Sequence, residues 1–308
     1  MNNAQFRLIA APFTPLDRDG RLNTAVIDDY AAHLVRNGIS GVFICGTTGE
    51  AVSLTLGERM KVTEKWVEAA GGKMTVITHV GGNCLDECVR LASHAAETGA
   101  DAVAAFAPSF FRPATAAELV DFFVPVAEAA GSLPFYYYHM PSMTGIAVAA
   151  SDIVAEAGAR MPNFRGVKFT HSDLFDMQKC LMSGHGIEVM HGYDEMLLAG
   201  LSLGAVSAVG STYNYIPTVY HNVVSSFFRG DMAQAQAYQR RSVELVKILI
   251  KYGGGVRGGK AIMKIAGIDC GDCRLPLKPF SREEFAALER EIEAFGWLDR
   301  AECVLRNE

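Results

Sequence analysis

A lysine interrupts the apolar, β-rich run FRGVKFTHSD at residues 164–173. In a strand alternate side chains share a face, so Gly166, Lys168 and Thr170 point one way and Val167 and Phe169 the other. On the inner face of a closed sheet the ammonium loses its water and becomes disfavoured. The neutral amine that results can attack a ketone and form an imine. The bland alternative is a lysine whose stem lies on apolar surface while its charge stays in water. Making and hydrolysing an imine moves several protons, and Tyr138, at the end of the run LPFYYY, is a shuttle of suitable type. Tyr136 and Tyr137 read as aromatic core, which is the alternative for Tyr138 too.

Three more clusters put polar groups where such runs end. GTTGE (46–50) offers the Thr47 and Thr48 hydroxyls and flexible backbone shortly before a helix, either a cradle for a carboxylate or a plain turn. GYDE (192–195) places Asp194 and Glu195 on one turn. They can accept hydrogen bonds from sugar hydroxyls, or set negative charge at the start of the next helix. GSTYN (210–214) adds Ser211. These groups share a mouth only if the runs are neighbouring strands.

The chain supplies such strands. Apolar runs recur at 7–13, 41–45, 74–80, 101–107, 133–138, 165–169, 187–191 and 205–210, with helical periodicity between most of them. Thr55 with Glu58, Thr115 with Glu118, and Ser281 with Glu284 read as capping boxes at helix starts. Gly38, Gly99, Gly131 and Gly204 stand where helices must end before the next strand. Eight β-then-α units over 1–230 predict an α/β fold, a (β/α)8 barrel, since the first strand runs into APFTP without the glycine fingerprint of a doubly wound sheet. Residues 231–308 read as a helical extension packed on the barrel within the same structural unit. In this fold the site lies at the C-terminal ends of the strands, where the four clusters fall.

Composition bounds the partners. The 308 residues, half of them hydrophobic, suffice for a large core. A net charge of −6 with interspersed signs argues against nucleic-acid or anionic-membrane partners. The opening MNNAQFRLIAAPF has no secretory pattern and no apolar run approaches the ~20 residues that span a bilayer, so a soluble cytoplasmic protein is expected. Seven scattered cysteines are expected to be mostly reduced and buried. Only Cys270 and Cys273 have ligand-like spacing, and they lack a second pair.

Taken together, GTTGE, YYYHMP, GVKFT, GYDE and GSTYN, in this order and spacing, resemble the N-acetylneuraminate lyase and dihydrodipicolinate synthase family of pyruvate-dependent class I aldolases. The resemblance runs from APFTP to the late GKAIMK and RLPL stretches, nearly the whole chain. The synthase branch carries an arginine shortly after the strand-five proline, whereas PSMTG offers Met143 here. An aspartate–glutamate pair after strand seven marks the lyase branch, which Asp194 and Glu195 match. The resemblance implies reversible cleavage of N-acetylneuraminate to N-acetylmannosamine and pyruvate. Lys168 is then the Schiff-base lysine, Tyr138 the proton relay, Thr47 and Thr48 the carboxylate loop and Thr170 an orienting hydroxyl. Gly192, Asp194, Glu195 and Ser211 hold the sugar chain. No metal or organic cofactor is implied, and a homotetramer is. Many members place a tyrosine after strand four that reaches a neighbouring subunit's site, where this chain has Phe110 and Phe111.

Other readings remain open. The same lysine could serve an aldolase or dehydratase for a shorter 2-keto-3-deoxy sugar acid, or dihydrodipicolinate synthase. His79, His139, His171 and His191 lie at or near strand ends, where imidazoles could converge on zinc. A barrel that binds a 2-keto acid without chemistry is a third possibility.

Overall fold

The computed structural model describes residues 6–300 apart from His185. The first five residues of the leader reading, the last eight of the helical extension and Cys303 lie outside the described residues. Eight parallel strands close in chain order: β1 (Arg7–Ala10), β2 (Gly41–Ile44), β3 (Thr75–His79), β4 (Ala102–Phe106), β5 (Phe135–His139), β6 (Phe164–Phe169), β7 (Glu188–His191) and β8 (Ser207–Gly210). Each apolar run read from the sequence overlaps one of them, with β5 ending one residue beyond its run and β6 starting one residue before its own. The helices between are α1 (Val26–Arg36), α2 (Leu56–Ala70), α3 (Leu85–Thr98), α4 (Ala116–Ala129), the short α5 (Pro141–Thr144), α6 (Ala150–Arg160), α7 (Leu174–Leu181) and α8 (Leu197–Leu203). After β8 come α9 (Pro217–Phe228), α10 (Met232–Lys251), α11 (Gly254–Ile265) and α12 (Arg282–Phe295).

Strand alternation sorts the core into two sides. Ile9, Phe43, Ile77, Ala104, Tyr138 and Met190 fill the barrel interior. Val103, Val167 and Phe169 face the helices instead. Leu8 and Val42 share a third apolar cluster with Leu245, Ile262 and Leu288, so the late helices pack on the barrel wall itself. No helix among the described residues is long and apolar enough to cross a membrane.

Local signals set several helix ends. Thr55 with Glu58 and Ser281 with Glu284 form both halves of a capping box. At α4 the sequence expectation needs correcting. Thr115 accepts from the Glu118 amide, but the Glu118 carboxylate accepts from the amide of Ala114 instead of closing the box on Thr115. Gly99 and Gly204 stop α3 and α8 in the left-handed conformation that glycine adopts without steric cost.

β6 and β7 approach so closely that a Cβ at Gly166 would overlap the carbonyl oxygen of Glu188. Below Lys168, the Glu188 carboxylate accepts from Tyr136 at 3.0 Å and is also held by Arg7 and Ser207. At the N-terminal end of β7 this partly buried carboxylate is thus held by three partners.

Candidate active site

Lys168 lies one residue from the end of β6, and its strand register sets it beside Tyr138 of β5 and Met190 of β7. Only 4% of the residue is exposed. Its Nζ stands 4.0 Å from the centroids of both the Phe43 and Tyr138 rings. Burial lowers the amine's pKa from 10.5 to about 7, with the charge of Asp194 opposing the fall. That fall corresponds to about 5 kcal/mol against the ammonium. A ring face attracts a desolvated cation by ~2 kcal/mol, so the two together offset much of that cost without cancelling it. A neutral amine is therefore populated near pH 7, and the snorkelling alternative fails because the amine is inside.

Tyr138 presents its hydroxyl at the same mouth. It lies 3.3 Å from Thr47 Oγ1 and donates to Met140 Sδ at 3.2 Å. Burial pushes its pKa up to about 12, against the hydroxyls of Thr47 and Thr170, so it holds its proton at neutral pH. Thr170 Oγ1 is buried, near enough to the Tyr138 hydroxyl to oppose that rise but without a well-formed hydrogen bond among the described residues. Gly192 permits that placement, because a Cβ there would overlap this oxygen. A free hydroxyl beside a phenol and an amine is positioned to meet a ligand atom.

Asp194 is buried, and its Oδ2 accepts from the Thr212 amide at 2.8 Å and Thr212 Oγ1 at 2.6 Å. Burial raises its pKa to about 7 despite those bonds, with Glu195 adding to the rise and Lys168 opposing it. Gly210 is needed because a Cβ would overlap Asp194 Oδ1. Glu195, Thr48 and Ser211 are partly exposed on the loops after β7, β2 and β8. The nine residues singled out in the sequence thus fall at the C-terminal ends of four adjoining parts of the barrel wall and on β2's loop across it.

The four histidines do not converge. His79 points inward with both nitrogens engaged, Nδ1 at 2.9 Å from the Cys45 carbonyl and Nε2 accepting from the Phe106 amide at 3.2 Å. His139 and His171 stack edge to face on the outer side, with 5.5 Å between ring centroids. His191 is buried under Gly200 of α8. Among the described residues no group of three or more His, Cys, Asp and Glu could hold a metal. Cys270 is buried, and burial pushes its thiol up to about 12, as it does for Cys273. Phe110 and Phe111 after β4 are 81% and 86% exposed, and Met143 on α5 is exposed too.

Sequence reasoning missed three contributors. Phe43 supplies one of the two apolar faces that dry Lys168, yet it reads as ordinary strand core. Thr212 is the partner of Asp194, hidden within GSTYN. Lys260 pairs with Glu50 inside the protein at 2.9 Å. Its signal was the same as that of Lys168, a lysine inside an apolar stretch, here GGKAIM.

Comparisons with known proteins extend over this whole arrangement. The model of the dihydrodipicolinate synthetase family matches residues 4–295. The N-acetylneuraminate lyase of Mus musculus is 41% identical over 94% of this chain and 92% of its own length. The solved N-acetylneuraminate lyase of Proteus mirabilis superposes with a TM-score of 0.92 at 37% identity, covering 95% of this chain and 99% of that one. Dihydrodipicolinate synthase from Aquifex aeolicus has the same fold at a TM-score of 0.87 and 26% identity, covering 95% and 98%.

Proposed function

This chain belongs to the dihydrodipicolinate synthetase family, and from that premise we propose that it is a Schiff-base aldolase that cleaves N-acetylneuraminate reversibly to N-acetylmannosamine and pyruvate. The lyase relatives, at about 40% identity, support this substrate over that of the synthase. The observation that carries the chemistry is the unpaired amine of Lys168, dried by two aromatic faces at the mouth of the barrel.

The open-chain substrate docks its carboxylate on the Thr47–Thr48 loop. Lys168 Nζ attacks the C2 ketone, water leaves, and an iminium forms. As the C4 hydroxyl gives its proton to the Tyr138 oxygen, which releases its own proton to the substrate carboxylate, the C3–C4 electron pair flows into that cation. N-acetylmannosamine departs and an enamine remains on the lysine. Protonation at C3 and hydrolysis then release pyruvate and restore the amine. Thr170 orients the C4 hydroxyl, while Gly192, Asp194, Glu195 and Ser211 line the path of the sugar chain. The proposal includes a cytoplasmic homotetramer, for which light scattering gives the assembly mass.

The defining experiment incubates the protein with pyruvate and borohydride and maps the adduct by mass spectrometry, alongside product analysis on a panel of 2-keto-3-deoxy sugar acids. A reduced adduct on Lys168 and preferential release of N-acetylmannosamine are expected. Pyruvate binding without an adduct would leave a non-catalytic barrel. Faster turnover of a shorter sugar acid would move the assignment to a sister aldolase.

Two expected results follow from the charges at the mouth. Only the neutral amine attacks, so exchange of pyruvate methyl protons with D2O should rise with pH through a midpoint near 7 and level off above it. Below the midpoint the rate should drop about tenfold per pH unit. A flat NMR exchange profile between about pH 6 and 9 contradicts a desolvated Lys168. For Asp194→Ala, the kcat/KM preference for the full-length sugar acid over shorter ones should shrink roughly ten- to a hundredfold, because a buried acceptor rejects substrates that leave it unpaired. Unchanged discrimination would remove Asp194 from substrate selection.

A further inference from the structure

The loop that carries Thr47 and Thr48 is held in a costly shape. Cys45 and Glu50, at its two ends, are the only non-glycine residues among those described with left-handed backbone, at φ 54° and 56°. Within the turn the Glu50 amide donates to the Thr47 carbonyl at 3.0 Å, and Thr14 Oγ1 donates to the Gly49 carbonyl at 2.7 Å. A glutamate in this conformation needs something to hold it there.

That hold comes from the far end of the chain. Glu50 Oε1 accepts from Lys260 Nζ of α11 at 2.9 Å, and Oε2 accepts from the Arg274 amide at 2.8 Å. Lys260 also donates to the Asp272 carbonyl at 3.0 Å. Glu50 and Lys260 are 5% and 2% exposed. The Arg274 guanidinium clamps the next turn, donating to the Ser53 carbonyl and to Glu58 at 2.8 Å each. Buried ion pairs stabilise folds weakly compared with apolar packing, and one built under a strained ligand loop serves geometry better than it serves stability.

We propose that Lys260, acting through Glu50, is a positioning residue that sets the Thr47–Thr48 loop against Tyr138 and Lys168, so that the helical extension is part of the 2-keto-acid carboxylate site. The inference rests on the aldolase reading above. Without the pair the turn at Glu50 relaxes and the two threonines move away from the carboxylate. The amine itself is untouched.

The test is the double variant Lys260→Met/Glu50→Gln, which removes both charges together and leaves neither unpaired in the interior. Borohydride trapping on Lys168 is measured against pyruvate concentration, with acetone as the same ketone lacking the carboxylate. Half-saturating pyruvate should rise roughly ten- to a hundredfold, while acetone trapping and the melting temperature stay near those of the parent. Unchanged pyruvate half-saturation, or an equal loss with acetone, overturns the proposal. Should the double variant not fold, Glu50→Asp carries the same comparison, since it keeps both charges in the interior and only shortens the reach to Lys260 and the Arg274 amide. A parent protein that traps no pyruvate would sink the aldolase reading and this inference with it, whereas a trapping parent with an indifferent variant sinks only the inference.

Discussion

Lys168→Met should abolish the reducible pyruvate adduct and lower turnover of N-acetylneuraminate by at least ~10⁴-fold, since no other group can replace the covalent electron sink. Methionine keeps the length of the stem and its contact with the Phe43 and Tyr138 rings, so the loss is chemical rather than architectural. Stability should move the other way. Folding lowers the amine's pKa from 10.5 to about 7, so in that window the unfolded chain binds a proton that the native state resists. The parent therefore loses stability as pH falls from 10.5 toward 7, and the variant does not. At pH 7 we expect Lys168→Met to melt higher than the parent, with the difference vanishing above about pH 10. Lys168→Ala should be equally inactive but leave a cavity that offsets the gain. Substantial turnover in either variant would remove the lysine from the mechanism, whatever the melting curves show.

Tyr138→Phe is expected to cost ~10²–10⁴-fold in kcat, the range for losing a positioned proton donor. The ring remains, and with it the face 4.0 Å from Lys168 Nζ, so the near-neutral midpoint of the exchange profile should persist while its plateau drops. The missing hydroxyl leaves Thr47 Oγ1 without its 3.3 Å neighbour. The pyruvate half-saturation should rise only slightly, because the threonine can turn to the ligand. A kcat within a few-fold of the parent would mean that protons travel by another route, with the substrate carboxylate the first alternative. A shifted midpoint with an intact plateau would instead assign Tyr138 to tuning the amine.

These two expectations separate the desolvation of the amine from the movement of protons around it. Phe43 offers no proton and Tyr138 offers one, yet each presents a ring face to Lys168 at the same distance. The wall of the site and its acid–base chemistry are therefore partly different residues. The exposed Phe110 and Phe111 after β4 lack a hydroxyl. Within the described chain Tyr138 is the phenol at the mouth that lies beside the lysine.

Much of this was legible in the chain because it is local. Alternation put Lys168 and Thr170 inside and Val167 and Phe169 outside, since a strand has a period of two whatever surrounds it. Repeated strand and helix signals gave the eight units, and GTTGE, GYDE and GSTYN could be placed at strand ends for the same reason. Tertiary structure decided what those ends do to one another. It turned Asp194 onto Thr212, scattered four histidines that the sequence could have gathered, and sent Glu118 to Ala114 instead of Thr115. Above all it brought Lys260 under Glu50 across 210 positions. Such pairings depend on how the barrel closes and how late helices dock on its wall, and no periodicity in a single stretch of sequence encodes that distance.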